Sequence, residues 1–385
     1  MKTHGIAIFG TGAVAPAHVQ GYQQTDNCEI LAICDVFPQK AEEFTKANGI
    51  MGAAIYSDYH ELLKRTDIEA VSICLPPSMH CEVTCAALAA GKHVLCEKPM
   101  ASSLEECDRM IELAEKMGKL LAIVSNNRFR TSVMKVKKML DAQVGGKLHF
   151  TKVDSLWYRG GNYYDLWWRG TWEKECGGCT ASHAVHHIDL LQWMCGMPQR
   201  VTAVIGNVAH FNSQCEDYAI AILQYPNMVA EITTTICSHD ELQELVFQTE
   251  KGRLSIPWKP YASKALSNGF PERNSEAEKE FQAYYDSLPE LKKENHAGEI
   301  DNFIAAIEGR EELIVPGLQG RNTMELIMAI YKSSVKQRPV DLPIRKDDPF
   351  YCRDTFINTM PHFYEKSKSI QNADNAPPIS FGRDL

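Results

Sequence analysis

The chain has 385 residues, 44% of them hydrophobic and 23% charged, which is long enough for two domains sharing an interface and is the balance of an ordinary soluble globular protein. A formal charge of −9 argues against nucleic acid or an anionic membrane as partner, because both need a basic surface. No stretch approaches the roughly 18 apolar residues of a membrane span, and Met1 to His4 leads into an apolar strand rather than a cleavable signal, so a cytoplasmic location is expected.

Residues 5–10 read as a short buried strand, and Thr11-Gly12-Ala13-Val14-Ala15-Pro16-Ala17-His18 as a turn entering a helix. The pattern is GxGxxA: Gly10 permits the tight turn, Gly12 lets backbone approach a pyrophosphate, and the helix N-terminus offers amide donors, with Thr11, Ala13 and Val14 among the expected cofactor contacts. A second strand, 29–34, ends in Asp35, whose carboxylate can accept from both adenosine ribose hydroxyls and would repel a 2′-phosphate. NAD is therefore expected rather than NADP, although Lys40 lies close; the alternative for Asp35 is an N-cap for a helix starting near Pro38. Strands at 70–75, 92–96 and 120–125 and helices at 79–90 and 104–117 continue the alternation, which indicates a doubly wound parallel sheet. Leu75, Pro76, Pro77 and His80 follow one strand's carboxyl end, where such sheets bind ligands, and form either a wall beside the cofactor or a plain strand-to-helix turn. The strand 92–96 ends in Glu97-Lys98-Pro99, where Pro99 removes a backbone donor, so a lysine at this place invites a functional reading.

After Asn126-Asn127-Arg128-Phe129 the pattern changes. A helix is expected at 130–142, then alternating strands at 148–157, 200–210, 218–225, 228–237, 244–248 and 252–256, which suggest a large, mostly antiparallel open sheet with one face on helices and the other free to meet a second subunit. Between these strands, Trp157 to Trp172 holds seven aromatics, two arginines and three glycines, which read as a loop lining a cleft rather than as a helix or strand. Aromatic faces stack on sugar rings and arginines donate forked hydrogen bonds, which makes Arg159, Tyr163, Tyr164, Trp168 and Arg169 candidate substrate contacts; the alternative is an aromatic mini-core under a long loop. From about Thr180 the chain reads as one helix with Ser182, His186 and Asp189 on one face, and a histidine so placed suits acid–base work, though a hydrogen-bonded structural role is an equal reading. Cys176, Cys179, His183 and His186 are zinc-type ligands, but their spacing fits no zinc template and their helical context is wrong, so no metal is expected. The thirteen cysteines are an odd, scattered set, several of them (Cys34, Cys74, Cys85, Cys96) inside apolar runs, and read as reduced thiols rather than a disulfide framework.

The Gly10 turn, Leu75-Pro76-Pro77, the run Ala90 to Pro99, Trp168-Arg169, His186-x-x-Asp189 and the closing stretch Val315 to Pro343 resemble, in this order, the glucose-fructose oxidoreductase, inositol dehydrogenase and MocA family. That resemblance implies an α/β chain: an N-terminal Rossmann domain at 1–125, a C-terminal α/β domain at 126–345 that binds substrate and forms subunit contacts, and an extension at 346–385. It implies hydride transfer between a sugar or cyclitol secondary alcohol and NAD, with Lys98 beside the nicotinamide and the reacting hydroxyl and His186 as the acid–base histidine. Glu97, Asn126, Trp168 and Arg169 join the expected cofactor contacts, and Arg128, His187 and His296 the expected substrate contacts. Where many dehydrogenase members carry Asp or Asn four residues before the histidine, this chain has Ser182, whose hydroxyl can orient a substrate but cannot supply a charge to raise the histidine's pKa. His183 and His187 are expected to share the proton handling. The aromatic loop and the extension resemble the branch that oxidises glycosides to 3-keto-glycosides, including gut-bacterial enzymes that begin C-glycoside deglycosylation. A cyclitol or free-sugar dehydrogenase, an NAD-dependent glycosidase working by oxidation and elimination, and a non-catalytic sugar sensor are the competing readings, and a homo-oligomer (dimer, tetramer or hexamer) is expected.

Overall fold

A computed structural model describes residues 3–371. Its first half is a parallel sheet of β1 (His4–Phe9), β2 (Cys28–Cys34), β3 (Ala54–Tyr56), β4 (Ala70–Ile73), β5 (His93–Cys96) and β6 (Leu121–Ile123), in the spatial order β3-β2-β1-β4-β5-β6. The crossovers are α1 (Ala15–Gln23), α2 (Pro38–Ala47), α3 (Tyr59–Leu63), α4 (Pro77–Ala89) and α5 (Leu104–Met117). Every residue of β1 is buried, which is why it reads as an unbroken apolar run: helices cover both faces of the sheet. Ser103 starts α5 by accepting from the Glu106 amide while Glu106 accepts from the Ser102 amide, and Gly118 ends it in the left-handed conformation. The short β3 and α3 carry too few residues to show a period, and the sequence reading passed over them.

The second half holds α6 (Thr131–Asp141), β7 (Leu148–Leu156), α7 (Cys179–Ser182), α8 (Val185–Cys195), β8 (Arg200–Gly206), β9 (Tyr218–Gln224), β10 (Val229–Thr235), β11 (Gln243–Thr249) and β12 (Arg253–Ile256). It continues with a hairpin of β13 (Ser263–Ala265) and β14 (Pro271–Arg273), then α9 (Ser275–Ser287), α10 (Asn295–Ile307), α11 (Gly317–Lys336), β15 (Val340–Asp341) and α12 (Arg353–Thr359). The sheet order is β12-β11-β7-β10-β9-β8-β15. All neighbours are antiparallel except β7 and β10, which run parallel because two helices and a hairpin lie between them, long enough for the crossover that a parallel pair requires. The edge amides of Ala203 and Ile205 on β8 donate to the hydroxyls of Ser333 and Ser334 on α11, which covers that edge. On the opposite face of the sheet Val204, Ile222 and Val229 are exposed.

The two halves interlock. Ile300, Phe303 and Ile304 of α10 share a core with Ile6, Val19 and Tyr22 of the parallel sheet and its first helix. Gly21 makes this approach possible, since a Cβ there would lie 2.4 Å from Ile300 Cδ1. Arg128, fully buried in a 3₁₀ turn (Asn126–Phe129), forks onto Asp189 of α8 with two contacts of 2.7 Å and stacks 4.8 Å from the Trp193 ring. It was expected to contact substrate; its burial and its bidentate pairing assign it instead to the joint between the halves.

The C-terminal extension packs inward as far as it is described. Phe350, Tyr351, Phe356 and Met360 enter the main core, and the Trp172 indole donates to the Pro361 carbonyl at 2.8 Å. Farther on, Trp167 N donates to Ile370 O (2.9 Å) and Ile370 N to Asp165 O (2.8 Å), so the extension forms a short parallel pairing with the aromatic loop. The rest of the expected extension, 372–385, lies outside the described residues.

Replacing Asp189 by Asn leaves the Arg128 guanidinium buried without its counter-ion, and the expected cost is about 3–5 kcal/mol. Urea unfolding monitored by tryptophan fluorescence measures it, and an unchanged midpoint would contradict the role given to this pair.

Candidate active site

The carboxyl ends of the parallel strands gather the site. After β1, Gly10 has a φ of 90°, and a Cβ there would sit 2.3 Å from the Cys74 carbonyl oxygen, so only glycine is accommodated without strain. A Cβ on Gly12 would meet only that same oxygen at 3.9 Å, which leaves this side of the turn open. Helix α1 begins with no side-chain cap and no acidic residue in its first turn, while its own first amides are spent locally, Ala15 N on Gly12 O (3.1 Å) and Ala17 N on Val14 O (3.0 Å), and Pro16 carries none. A glycine turn open at Gly12, against a helix start that carries no acidic side chain, fits a dinucleotide pyrophosphate. Asp35 at the end of β2 accepts from Thr11 N (3.0 Å), Thr11 Oγ1 (2.6 Å) and Phe37 N (3.0 Å), with Lys40 Nζ 4.0 Å away. It is not the cap of α2, whose N-cap is Phe37. Three of a carboxylate's roughly four acceptor sites are thus filled from within, so Asp35 has room for one ribose hydroxyl rather than the two expected from sequence.

Pro77 is the buried first residue of α4, while Leu75 and Pro76 stay partly exposed. His80, expected at the cofactor, is fully buried, its two ring nitrogens each 2.8 Å from a carbonyl, Leu75 and Pro99; it braces the ends of β4 and β5 against each other. Asn126 is buried in the 3₁₀ turn after β6.

Lys98 follows β5 half-buried, and its Nζ donates to the Ser182 carbonyl at 3.1 Å. Burial lowers its pKa, and the Glu97 carboxylate opposes that change. Glu97 is itself buried; burial favours its protonated form, but hydrogen bonds from His18 and His296 outweigh this and hold it well below the usual carboxylate range. His18 Nε2 lies 2.9 Å from Glu97 Oε1, and His18 Nδ1 lies 3.1 Å from Ser72 Oγ. His296, expected at the substrate, lies with its Nε2 3.8 Å from the same Glu97 oxygen. His18 is a site residue without a motif of its own; the signal for it in the sequence is its spacing with Ala15, Val19 and Tyr22 on the buried face of α1.

His186 opens into a cavity that Lys98, Met100, Ser125 and Asp189 also line. Its pKa is pushed well below the ordinary value by burial and then by the Lys98 charge, so its imidazole is neutral at pH 7. The helix expected from Thr180 onward is broken: Cys179 O accepts from both His183 N (3.0 Å) and Ala184 N (2.9 Å), and one extra residue enters the turn. An added residue rotates the following positions by about 100°. Ser182 therefore leaves the face of His186; its hydroxyl donates to Gly178 O (2.7 Å) and lies 2.8 Å from His183 Nδ1. With that hydroxyl proton on Gly178 O, His183 Nδ1 carries its proton toward Ser182 and Nε2 is left as the basic nitrogen. Burial, then Arg159 and Arg169, push the His183 pKa well below the ordinary histidine value. His187, expected at the substrate, is fully buried, with Nδ1 2.8 Å from Ser155 Oγ and a pKa pushed by burial to about 3. It belongs to the packing between α8 and β7.

In the aromatic loop Arg169 lies between two rings, 4.0 Å from the Tyr163 centroid and 4.1 Å from that of Trp168, and its Nη1 donates to buried Glu175 at 2.8 Å. Glu175, absent from the sequence-based set, also accepts from Gly170 N at 2.6 Å. Arg159 donates to Glu241 at 2.8 Å. Tyr163 and Trp168 are half-buried, whereas Tyr164, also expected at the substrate, has no exposed surface and packs with Trp157, Cys179 and Ile236. The mini-core reading holds for Tyr164 and Trp157, while Tyr163 and Trp168 keep part of their surface exposed. Cys176 and Cys179 do not converge, since Cys176 Sγ donates to Ser102 Oγ and Cys179 Sγ to Thr234 O. All thirteen thiols are free.

A parallel sheet with a glycine turn on an uncapped helix, joined to a second sheet that brings a histidine to a strand-end lysine, defines a two-domain dinucleotide-binding oxidoreductase. Residues 4–125 match the oxidoreductase family with an NAD-binding Rossmann fold, and residues 137–342 match its C-terminal alpha/beta domain, so the chain belongs to the glucose-fructose oxidoreductase, inositol dehydrogenase and MocA family. It is similar to myo-inositol 2-dehydrogenase of Thermotoga maritima, 25% identical over 88% of this chain and 98% of that protein. It is similar as well to D-glucoside 3-dehydrogenase of Escherichia coli, 24% identical over 88% and 97%. Among solved structures, the WlbA dehydrogenase of Bordetella pertussis, in complex with NADH and UDP-GlcNAcA, superposes with a TM-score of 0.77 at 26% identity over 89% of this chain and 99% of that one.

Gly10→Ala forces a Cβ against the Cys74 carbonyl, so NADH affinity is expected to fall at least about tenfold, a loss of roughly 1.4 kcal/mol. Fluorescence titration with NADH measures it, and unaltered affinity contradicts the turn's assignment.

Proposed function

We propose that this protein moves hydride between a secondary alcohol of a sugar or glycoside and NAD, with C3 of a glucosyl group as the preferred carbon and a 3-keto-glycoside as product. The observation that carries the proposal is that Lys98 and His186 line one cavity, with Lys98, like the Gly10 turn, at the carboxyl end of the parallel strands. Gly10 to Val14, Asp35, Leu75 and Pro76 would hold the dinucleotide, which supplies the hydride acceptor when bound. An ammonium has three donors and Lys98 spends one on Ser182, which leaves two for the reacting oxygen, where they stabilise alkoxide character as the C–H bond breaks. Neutral His186 accepts the hydroxyl proton at a ring nitrogen, and burial, then the like charge of Lys98, keep it unprotonated beforehand. His183 Nε2 is a second acceptor through which that proton can leave.

Support for a glycoside comes from the aromatic loop and from the extension paired with it, which offer Tyr163 and Trp168 as surfaces for an aglycone, and from similarity to a protein named for glucoside 3-dehydrogenation. Reading NAD rather than NADP rests on Asp35, whose charge opposes a 2′-phosphate, with Lys40 partly offsetting it. The exposed Val204, Ile222 and Val229 face of the second sheet is the surface offered for a homo-oligomer. No helix among the described residues is long and apolar enough to cross a membrane.

The deciding experiment gives purified protein NAD with methyl and aryl glucosides, myo-inositol and free glucose, and identifies products by NMR. A ketone at C3 of a glucoside is expected; oxidation of inositol alone sinks the glycoside proposal, and release of free sugar without net NADH indicates oxidation and elimination instead. Lys98→Met and His186→Ala are each expected to lower kcat/KM by at least about a hundredfold while NADH binding persists. Because the His186 pKa is lowered, protonation silences the base only in acid, so the acid limb of kcat/KM is expected below pH 6.5, the ordinary histidine value. A limb at or above neutrality in the pH–rate profile contradicts His186 as the base.

A further inference from the structure

Outside the active site, His210 in the segment after β8, Asp217 just before β9 and Cys237 just after β10 bring three ligand-type atoms together. His210 Nδ1 is 2.9 Å from Asp217 Oδ2, Cys237 Sγ is 3.4 Å from that oxygen, and Sγ is 3.9 Å from Nδ1. We propose that these three residues form a binding site for a tetrahedral divalent cation of the zinc type, with solvent as the fourth ligand.

Four observations support it. The circle through three points so spaced has a radius of about 2.0 Å, and zinc bonds to nitrogen, oxygen and sulfur run roughly 2.0–2.3 Å, so one ion reaches all three atoms with little movement. The second shell is already built: His210 Nε2–H donates to the Arg159 carbonyl at 2.8 Å, which fixes the tautomer that offers Nδ1, and Asp217 accepts from the amides of Val208 and Ala209 at 2.8 Å each. Asp217 Oδ2 is over-subscribed without an ion, since the Ala209 amide, His210 Nδ1 and Cys237 Sγ all converge on one oxygen that has two lone pairs. Finally, Asp217 and Cys237 approach the same ring nitrogen, which a coordination polyhedron requires; a cysteine–histidine–aspartate nucleophile would place them on opposite nitrogens.

Metal entry displaces the protons from Nδ1 and Sγ to solvent, and the three ligands plus the ion carry the same total charge as the protonated set. Asp217 has no exposed surface, His210 is nearly buried and Cys237 is half-buried, which gives the ion a route in from one side. The consequence is mechanical. Through His210 and the Arg159 carbonyl, the ion ties the segment after β8 and the end of β10 to the base of the aromatic loop, so the site is structural and distinct from Lys98 and His186.

The test is to incubate the full-length protein with zinc, desalt it, and measure bound metal by mass spectrometry beside Cys237→Ser and His210→Gln, with circular dichroism as the folding control. About one zinc per chain is expected in the parent and at least tenfold less in either variant. Cobalt(II) substitution of the parent should show a thiolate-to-metal charge-transfer band that survives in Cys176→Ser. No stoichiometric zinc in the parent, zinc retained by folded Cys237→Ser, or a cobalt spectrum without the thiolate band each overturns the proposal; the cobalt measurement decides the matter if the variants do not fold.

Discussion

A lysine ammonium held half out of water at the seam between two sheets is the constraint around which this molecule is arranged. Burial disfavours the charge on Lys98, and the protein answers with the Ser182 carbonyl from the second half and the Glu97 carboxylate from the first. Glu97 keeps that charge with a hydrogen bond from His18 of α1 and the nearby imidazole of His296 of α10. Those two helices meet at Gly21, so helix packing and site electrostatics depend on the same close approach. Burial, and after it the Lys98 charge, lower the His186 pKa, so the same seam keeps this imidazole a free base.

Burying so many charged groups at one seam has a structural counterpart in the Arg128–Asp189 pair. Asp189 accepts from both ends of the Arg128 fork and from Thr323 of α11, so one carboxylate joins three elements. The pair contributes little net stability over an apolar filling, but removing one partner is costly. Through it α8, which carries His186, is joined to the turn after β6 and to α11. The aromatic loop is held in a comparable way, by Glu175 beneath Arg169 and by backbone pairing with the extension at Ile370.

Much of this was legible in the sequence, and the reasons differ by element. The parallel strands could be read because strands covered on both faces are short unbroken apolar runs, and α5 because it carries its own cap and a terminal glycine. The Gly10 turn was legible because steric exclusion of a Cβ leaves one residue type. The family resemblance, resting on the Glu97-Lys98-Pro99 context and the later motifs, extended the reading to the second domain and to the proposed roles of Lys98 and His186. The extra residue between Ser182 and Val185 left no mark in composition or period, so the expected single helix face was wrong by one turn position.

By itself the sequence determined the alternation of strands and helices, the turn that receives a dinucleotide and the presence of Lys98 and His186, because those depend on local sterics and on residue identity. Which histidines face a cavity and which are packing was decided only by tertiary structure: His186 lines the Lys98 cavity, while His187, next to it in the chain, is sealed against β7. The same holds for Arg128 and Tyr164, whose chemistry suits a substrate but whose burial removes them from one, and for His210, Asp217 and Cys237, which meet only when the β8–β9 connection and the end of β10 converge. Burial and convergence are properties of distant parts of the chain brought together, and no local pattern encodes them.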